Sequence, residues 1–173
     1  MARSWFGVGG YSLTRLEILS THPEIMKLGI RSTEPSMLEL INNAKEELQI
    51  LSYAITSGAN KILIAIEKAL ARGVKLTFIL NRDEELSENI LNSLKKMQNT
   101  FEYSKIYLFA PRDKADLHAK IMVADRTVAI LGSSNLTSKG LVWNIEIGIL
   151  IEDKSVWKLS EVIDRIADMS SLL

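Results

Sequence analysis

The stretch of sequence that most constrains the fold is Val74–Leu80, a nearly continuous apolar run that directly follows Gly73. Such runs are typical of central strands that are buried on both faces of a sheet, and they need helices to cover those faces. Residues at helical spacing indicate helices on both sides of this run, one starting at Thr33, one over 60–72 and one over 84–98. The pattern therefore predicts helices that alternate with strands.

The rest of the chain adds further strands and one last helix. Strands are predicted at 48–56, 105–110, 117–124, 127–131 and 142–151, with another at 11–19 and a final helix at 154–169. Together these elements predict an α/β fold, a mixed β-sheet flanked by helices on both faces. We expect residues 31–173 to form a single domain, and residues 1–30 to form an N-terminal extension of unassigned role.

The composition excludes several kinds of chemistry. The 173 residues include no Cys, which excludes disulfides, thiolate catalysis and Cys-based zinc sites. Only two His are present, so an all-histidine metal site within one chain is excluded as well. Lys and Arg total 21, as do Asp and Glu, so any attraction for phosphate must be local. No stretch resembles a signal peptide or a membrane span, and we expect a cytoplasmic protein with no stable membrane insertion.

Polar side chains of chemical interest gather in the strand-rich last third of the chain. His118 and Lys120 are two residues apart, so in a strand they share one face, while Leu117, Ala119 and Ile121 form the opposite, apolar face. The polar face presents an imidazole, which can act as a nucleophile or proton carrier, beside an ammonium that can bind an oxyanion.

Two further segments carry complementary groups. A predicted tight turn at Asp125-Arg126 leads to a strand that ends in Gly132-Ser133-Ser134-Asn135, whose hydroxyls and amide suit phosphate oxygens. Asn144 and Glu146 are again two residues apart, and a carboxylate can orient a histidine and fix its tautomer. A nucleophile, an orienting acid, a cation and neutral donors are the parts that phosphoryl transfer needs.

These residues resemble the pattern of a known family. The spacing His118-x-Lys120-x4-Asp125-x6-Gly132-Ser133-x-Asn135 is similar to the defining motif of the phospholipase D superfamily, and Asn144-x-Glu146 falls where that family has a supporting Glu. The resemblance covers about residues 35–165, whereas the first thirty residues match nothing that we can assign. Six fixed identities at fixed spacing make an accidental match very improbable.

The resemblance implies a phospholipase D-like catalytic domain and a metal-independent phosphodiesterase without a cofactor. The catalytic residues carried over from the family are His118, Lys120, Asp125, Asn135 and Glu146. His118 would attack phosphorus to form a covalent phosphohistidine, and Glu146 would orient it. Lys120 and Asn135 would bind the non-bridging oxygens of the phosphate, with Ser133 as a further donor. Asp125 is usually a structural member of the motif that positions its neighbours.

The family's chemistry needs two histidines, and the second cannot easily come from the same chain. His22 lies in Ser-Thr-His-Pro, with no Lys two residues on, and the Pro indicates a turn. One motif per chain therefore implies a homodimer with the active site at its interface. There, His118 of the partner subunit would protonate the leaving oxygen and then activate water.

The motif does not separate the substrates of this family. We favour an endonuclease acting on DNA or RNA, because compact single-motif chains most resemble that branch. One alternative is a lipid phosphodiesterase of phospholipase D type, which predicts an exposed apolar patch near the catalytic residues. The other is a nucleic-acid-binding subunit of a larger complex, which the intact motif weighs against.

Three more residues near the motif invite a functional interpretation. Trp143 could stack on a nucleobase, although we expect it to pack in the core because it points away from Asn144 in a strand. Arg112 and Lys114 precede the motif and could line a phosphate track. Their alternation with acidic residues is equally typical of a solvated loop.

Overall fold

The computed structural model describes residues 15–81, 86–110 and 115–173. The strands in this part of the chain are β1 (Arg15–Ser20), β2 (Arg31–Ser32), β3 (Glu47–Ser52), β4 (Lys75–Asn81), β5 (Ser104–Phe109), β6 (Ile121–Ala124), β7 (Val128–Gly132), β8 (Ile147–Glu152) and β9 (Ser171–Leu172). The helices are α1 (Pro23–Met26), α2 (Thr33–Asn43), α3 (Asn60–Ala71), α4 (Glu88–Thr100) and α5 (Trp157–Asp168). The described strands form one sheet in the order β2-β1-β8-β7-β6-β3-β4-β5-β9.

The sheet is mixed, as the sequence predicts. Strands β3, β4 and β5 run parallel and are linked by α3 and α4, whereas β6, β7 and β8 form an antiparallel series beside them. The apolar run at 74–80 becomes the central strand β4, in which Phe78 and Ile79 are fully buried on opposite faces. Gly73 ends the preceding helix with a φ of 90°, a conformation that favours glycine.

Helices cover both faces of the sheet, which confirms the predicted fold class. Residues of α2, α3 and α4 pack on one face in a cluster that includes Ile41, Ile66 and Leu94. On the other face α5 contributes Ile163, which packs against central-strand residues such as Ile79. None of the helices within the described ranges is both long enough and apolar enough to cross a bilayer.

Helix α5 covers only part of the sheet face on which it packs. The register places Leu131, Ile149 and Ile18 in one row across β7, β8 and β1, so they point to the same face. Leu131 packs in the cluster under α5, whereas Ile149 and Ile18 in the same row are solvent-exposed. We call the exposed residues of β1 and β8 the uncovered patch: Leu16, Ile18, Ile147 and Ile149, which are 51%, 49%, 47% and 39% exposed.

The N-terminal part of the chain belongs to the same sheet. β1 lies between β2 and β8 and pairs with β8 along its whole length, from Arg15 opposite Glu152 to Ser20 opposite Ile147. The expected boundary at residue 30 therefore cuts through the sheet, because residues 15–30 supply one of its strands. Residues 1–14, which include the first part of the strand predicted at 11–19, lie outside the described residues.

Two of the predicted strands are shorter than expected. The strand predicted at 117–124 begins only at Ile121, which lies opposite Leu51 of β3. The strand predicted at 142–151 begins at Ile147, because the chain before it forms a π-helical turn at Lys139–Trp143. His118 and Lys120 therefore precede a strand rather than lie in one, and so do Asn144 and Glu146.

The chain reverses between β6 and β7 in a tight turn at Asp125 and Arg126, as predicted. Asp125 and Arg126 have φ angles of 51° and 56°, and Thr127 N donates a 3.1 Å hydrogen bond to Ala124 O that closes the turn. The Asp125 carboxylate accepts hydrogen bonds from three backbone amides just before β3, those of residues 45, 46 and 47, at 3.0, 2.8 and 3.1 Å. Asp125 thus links the hairpin to the start of β3. It lies after the last residue of β6, whereas Lys120 lies before the first, and its hydrogen bonds stabilise the fold.

Replacing Asp125 should therefore lower stability. In Asp125→Gly the three amides lose their acceptor while the positive φ is still accommodated, and we expect a loss of about 1–2 kcal/mol in the free energy of unfolding. Urea denaturation measures this loss. The exposed Asp168, which pairs with Arg165, offers a control, since Asp168→Ala should change stability by less than about 0.5 kcal/mol. A fully stable Asp125→Gly protein would contradict the structural role.

Candidate active site

One edge of the sheet collects the side chains of chemical interest. At this edge β1, β3, β4 and β7 end, while β6 and β8 begin. The carboxyl ends of parallel strands are the usual place for binding sites in open α/β sheets. At or just beyond these strand ends lie Thr21, Tyr53, Asn81, His118, Lys120, Ser133, Asn135, Asn144 and Glu146.

The imidazole of His118 and the ammonium of Lys120 are in contact. Nζ of Lys120 lies 3.0 Å from Nδ1 and 3.3 Å from Nε2 of His118, and it donates a 2.7 Å hydrogen bond to the His118 carbonyl oxygen. Tyr53 joins both groups, since its ring centroid is 4.7 Å from that of His118 and 5.2 Å from the ammonium. His118 is exposed. An anionic ester can therefore approach the imidazole from solvent with a cation beside it.

Asn81, the last residue of β4, holds the segment that carries His118. Its Oδ1 accepts a 2.8 Å hydrogen bond from Leu117 N, and its Nδ2 donates to a carboxylate oxygen of Asp116 at 3.3 Å. Leu117 is itself buried in the cluster under α5, and His118 N donates to Asp116 O at 3.0 Å. These contacts fix the backbone immediately before His118, so Asn81 is a positioning residue.

Glu146 is held by three neighbours. Ser133 Oγ donates a short hydrogen bond to Oε2 of Glu146, and Asn144 Nδ2 donates one of 3.0 Å to Oε1. Thr21, buried at the end of β1, donates from its hydroxyl to Asn144 O at 2.6 Å and accepts from Glu146 N at 3.0 Å. Both the carboxylate and the backbone of Glu146 are therefore fixed before any ligand binds.

Glycines allow the loop after β7 to pack tightly behind the site. A Cβ at Gly140 would lie 2.4 Å from the carbonyl oxygen of Asn135, and a Cβ at Gly58 would lie 2.3 Å from Ser138 N. A side chain at either position would push the loop away from the site. Asn135 is thus held through its backbone, while its Oδ1 is buried with no hydrogen-bond partner among the described residues.

The two charged residues of the site influence each other. Partial burial lowers the pKa of Lys120 below the usual value for lysine, and the negative charge of Glu146 opposes this by raising it. Over the described ranges, no three or more His, Cys, Asp or Glu side chains are grouped so that they could hold a metal ion.

In the structure the predicted site residues form two groups. His118 meets Lys120, and Ser133 and Asn144 meet Glu146. No hydrogen bond joins Glu146 to His118 within the described chain, so the orienting role of Glu146 stays a prediction. The same holds for phosphate binding by Ser133 and Asn135.

Tyr53, Asn81 and Thr21 also belong to the site, although they lie outside the motif and were not expected there. Each lies at or directly after the end of a strand, and a polar or aromatic residue in that position is the signal that could have found them. Their partners are distant in the sequence, by 36 residues from Asn81 to Leu117 and by 123 from Thr21 to Asn144. No local pattern indicates contacts at such separations.

Other residues near the motif behave differently from expectation. The prediction that Trp143 packs in the core is wrong, since its side chain is 75% exposed at the end of the π-helical turn. Its neighbour Ile145 is 63% exposed. His22 was expected in a turn, but it is the N-cap of α1, where its Nδ1 accepts a hydrogen bond from Glu24 N. Arg112 and Lys114 lie outside the described residues.

Comparison with protein families matches residues 37–168 to the family described as "Cardiolipin synthase, PLD-like domain". Among curated proteins, the chain is 28% identical over 150 residues to the DISARM protein DrmC of Bacillus paralicheniformis, which covers 86% of this chain and 61% of the relative. It is 30% identical over 149 residues to a cardiolipin synthase of Clostridium perfringens, which covers 84% of this chain and 29% of that protein. The chain thus spans less than two thirds of the length of either relative.

Solved structures with the same fold include two proteins of similar extent. Nuc from Salmonella typhimurium, a phospholipase D family member, superposes with a TM-score of 0.74 at 19% identity, over 92% of this chain and 97% of that one. NucT from Helicobacter pylori superposes with a TM-score of 0.72 at 18% identity, over 92% and 99% of the two chains. Both support the mixed sheet and its flanking helices.

The Coulombic interaction between Lys120 and Glu146 predicts how Lys120 titrates. Its pKa should lie below the ordinary lysine value of 10.5. In Glu146→Gln it should fall further, because the negative charge that favours the ammonium is gone. Heteronuclear NMR of the lysine side chains measures both values, with the exposed Lys75 as a reference that the substitution should not affect. A pKa that rises or stays constant in Glu146→Gln would refute the electrostatic interaction.

Proposed function

We propose that this chain, which belongs to the phospholipase D superfamily, is a metal-independent phosphodiesterase that hydrolyses DNA or RNA as an endonuclease. The observation that carries this proposal is the contact between the solvent-facing imidazole of His118 and the ammonium of Lys120. A nucleophile for phosphorus and a cation for the phosphate oxygens are thus already adjacent. The absence of cysteine suits the reducing cytoplasm, where we expect the protein to act.

The proposed reaction proceeds in two displacements. A ring nitrogen of His118 forms a bond to phosphorus as the P–O ester bond breaks, and the leaving oxygen takes a proton from His118 of the partner subunit. That partner histidine, now neutral, removes a proton from water as the water oxygen attacks phosphorus, and the N–P bond breaks. Lys120 offsets the negative charge on the non-bridging oxygens in both steps, which is why the mechanism needs no metal ion.

Glu146, Ser133 and Asn135 have supporting roles in this proposal. The negative charge of Glu146 stabilises a protonated histidine or lysine nearby, and its fixed position makes that influence constant during the reaction. Ser133 now donates to Glu146 and can redirect its hydroxyl to a phosphate oxygen. The packing of Gly140 against the Asn135 backbone supports Asn135 as a rigidly placed donor.

The uncovered patch supports a homodimer with a shared active site. Four large aliphatic side chains of β1 and β8 are exposed side by side, and they continue a sheet face that is otherwise covered by α5. Exposed apolar areas of this kind are typical of protein–protein interfaces. The patch begins at Ile147, the residue after Glu146, so a second copy packed on it lies next to the site. Two-fold symmetry then brings the second His118 toward the same phosphate.

A lipid phosphodiesterase is the second candidate, and one observation favours it. Trp143 and Ile145 flank Asn144 at the edge of the site and are exposed, as expected for residues that enter the surface of a bilayer. The family match and the cardiolipin synthase relative are compatible with this substrate as well. We place nucleic acid first because the cleft that adjoins Tyr53 is lined by hydroxyls and a lysine.

Activity in the presence of a chelator tests the proposed chemistry. The purified protein in EDTA should cut plasmid DNA or single-stranded RNA, and His118→Asn should reduce the rate by at least about 1,000-fold, because the nucleophile is lost. His22→Asn is the matched control, since His22 is the N-cap of α1, where Asn is also a good cap. A requirement for magnesium, or an active His118→Asn protein, would refute the mechanism. Hydrolysis of phosphatidylglycerol vesicles but not of nucleic acid would establish the lipid candidate instead.

Subunit mixing tests the shared site. When wild-type and His118→Asn chains are unfolded together and refolded, activity should follow the square of the wild-type fraction, because each site needs two intact histidines. Ile18→Glu, in the uncovered patch, should give an inactive monomer in light scattering. Val162→Glu, at a position 53% exposed on α5 outside the patch, should remain an active dimer. Activity that is linear in the wild-type fraction, or an active Ile18→Glu monomer, would contradict the model of a shared site.

A further inference from the structure

A cleft adjoins the His118–Lys120 pair on the side of β3 and β4. Its cavity volume is about 480 Å³, and it is bounded by the segment after β3 (residues 53–56), the end of β4, Leu86 and the loop after β7 (residues 137–139). Tyr53 lines the cleft and also contacts the His118–Lys120 pair. The ring centroids of Tyr53 and His118 are 4.7 Å apart. A polymer bound across His118 would therefore extend directly into this cleft.

The two walls of the cleft are joined by backbone contacts. Thr56 N donates to Leu136 O at 2.9 Å, and Leu136 N donates to Ala54 O at 3.1 Å. The close approach of Gly58 to Ser138 adds a further contact between the same two segments. The cleft is thus formed before a ligand arrives, which reduces the entropic cost of binding there.

The lining of the cleft is rich in hydrogen-bond donors. The hydroxyl oxygens of Thr56 and Thr137 accept hydrogen bonds from Gly58 N and Gly140 N, at 3.3 and 3.0 Å, so each hydroxyl hydrogen is left to donate. Lys139 is the only charged residue among the described lining residues, and it forms no ion pair within the described chain. The cleft therefore offers donors and one cation, a combination that suits an anionic ligand rich in acceptors.

We infer that this cleft binds the nucleotide next to the scissile phosphodiester, and that Lys139 contacts the following phosphate of the same strand. The inference rests on the proposed function and specifies the substrate: a polynucleotide that continues beyond the cut on the Tyr53 side. Hydroxyl donors match the oxygens of a sugar and of a base edge, and Leu86 offers an apolar contact for a base. An acyl chain would instead need an uninterrupted apolar wall, which the threonines and Lys139 break.

Salt-dependent binding tests the role of Lys139. The protein with His118→Asn cannot form the phosphohistidine, so a fluorescein-labelled single-stranded 12-mer stays intact, and its affinity is measured by anisotropy at several KCl concentrations. Adding Lys139→Gln should weaken binding several-fold. It should also reduce the slope of log K against log[KCl] by about 0.7, the value for one lost phosphate contact on a single strand. Lys75→Gln in the same background is the matched control, because Lys75 is exposed at the opposite end of β4.

The possible failures of the two proposals can be told apart. If the wild-type protein cuts the oligonucleotide but Lys139→Gln changes the affinity and slope no more than Lys75→Gln does, the inference about the cleft is wrong and the proposed function stands. If the wild-type protein cuts no nucleic acid and hydrolyses phosphatidylglycerol vesicles, the proposed function is wrong, and the inference fails with it.

Discussion

The site depends on how far the pairing of β6 with its two neighbours extends. Leu51, Ile121 and Leu131 form the last complete row across β3, β6 and β7, and beyond that row Lys120 O still accepts a 3.2 Å hydrogen bond from Gly132 N. The side chains of residues 118 and 120 therefore emerge beside the end of β3 and the end of β7. Hydrophobic packing of this row on α5 sets where the polar groups begin. A shift of β6 by one residue would exchange its faces and turn these side chains away from the ends of β3 and β7.

The parts of the structure that follow from local pattern could be predicted from the sequence. The central strand β4 follows from an unbroken apolar run, the end of α3 from Gly73, and the β6–β7 hairpin from Asp125 and Arg126 between two strands. The mixed sheet with helices on both faces then follows from the order of the elements. The predicted proximity of His118 and Lys120 is also found in the structure, although both residues lie outside the strand.

The parts that local pattern could not supply are set by contacts between distant segments. The segment before His118 is held by Asn81 rather than by strand pairing, and β8 starts late because the turn containing Gly140 packs against Asn135. Strand alternation predicts that Trp143 packs in the core, but that alternation does not apply in a π-helical turn. Similarly, nothing near residue 21 in the sequence reveals that Thr21 supports the backbone around Glu146.

The position of the Lys120 ammonium has a consequence for selectivity. It already donates to the carbonyl oxygen of the residue two positions before it and touches both ring nitrogens there. An anion that arrives competes with that carbonyl oxygen for the ammonium, so a small free ion such as chloride or sulfate gains little by displacing it. A ligand held at additional points can offset that loss, so we expect the protein to bind a polymeric phosphodiester in preference to free inorganic anions.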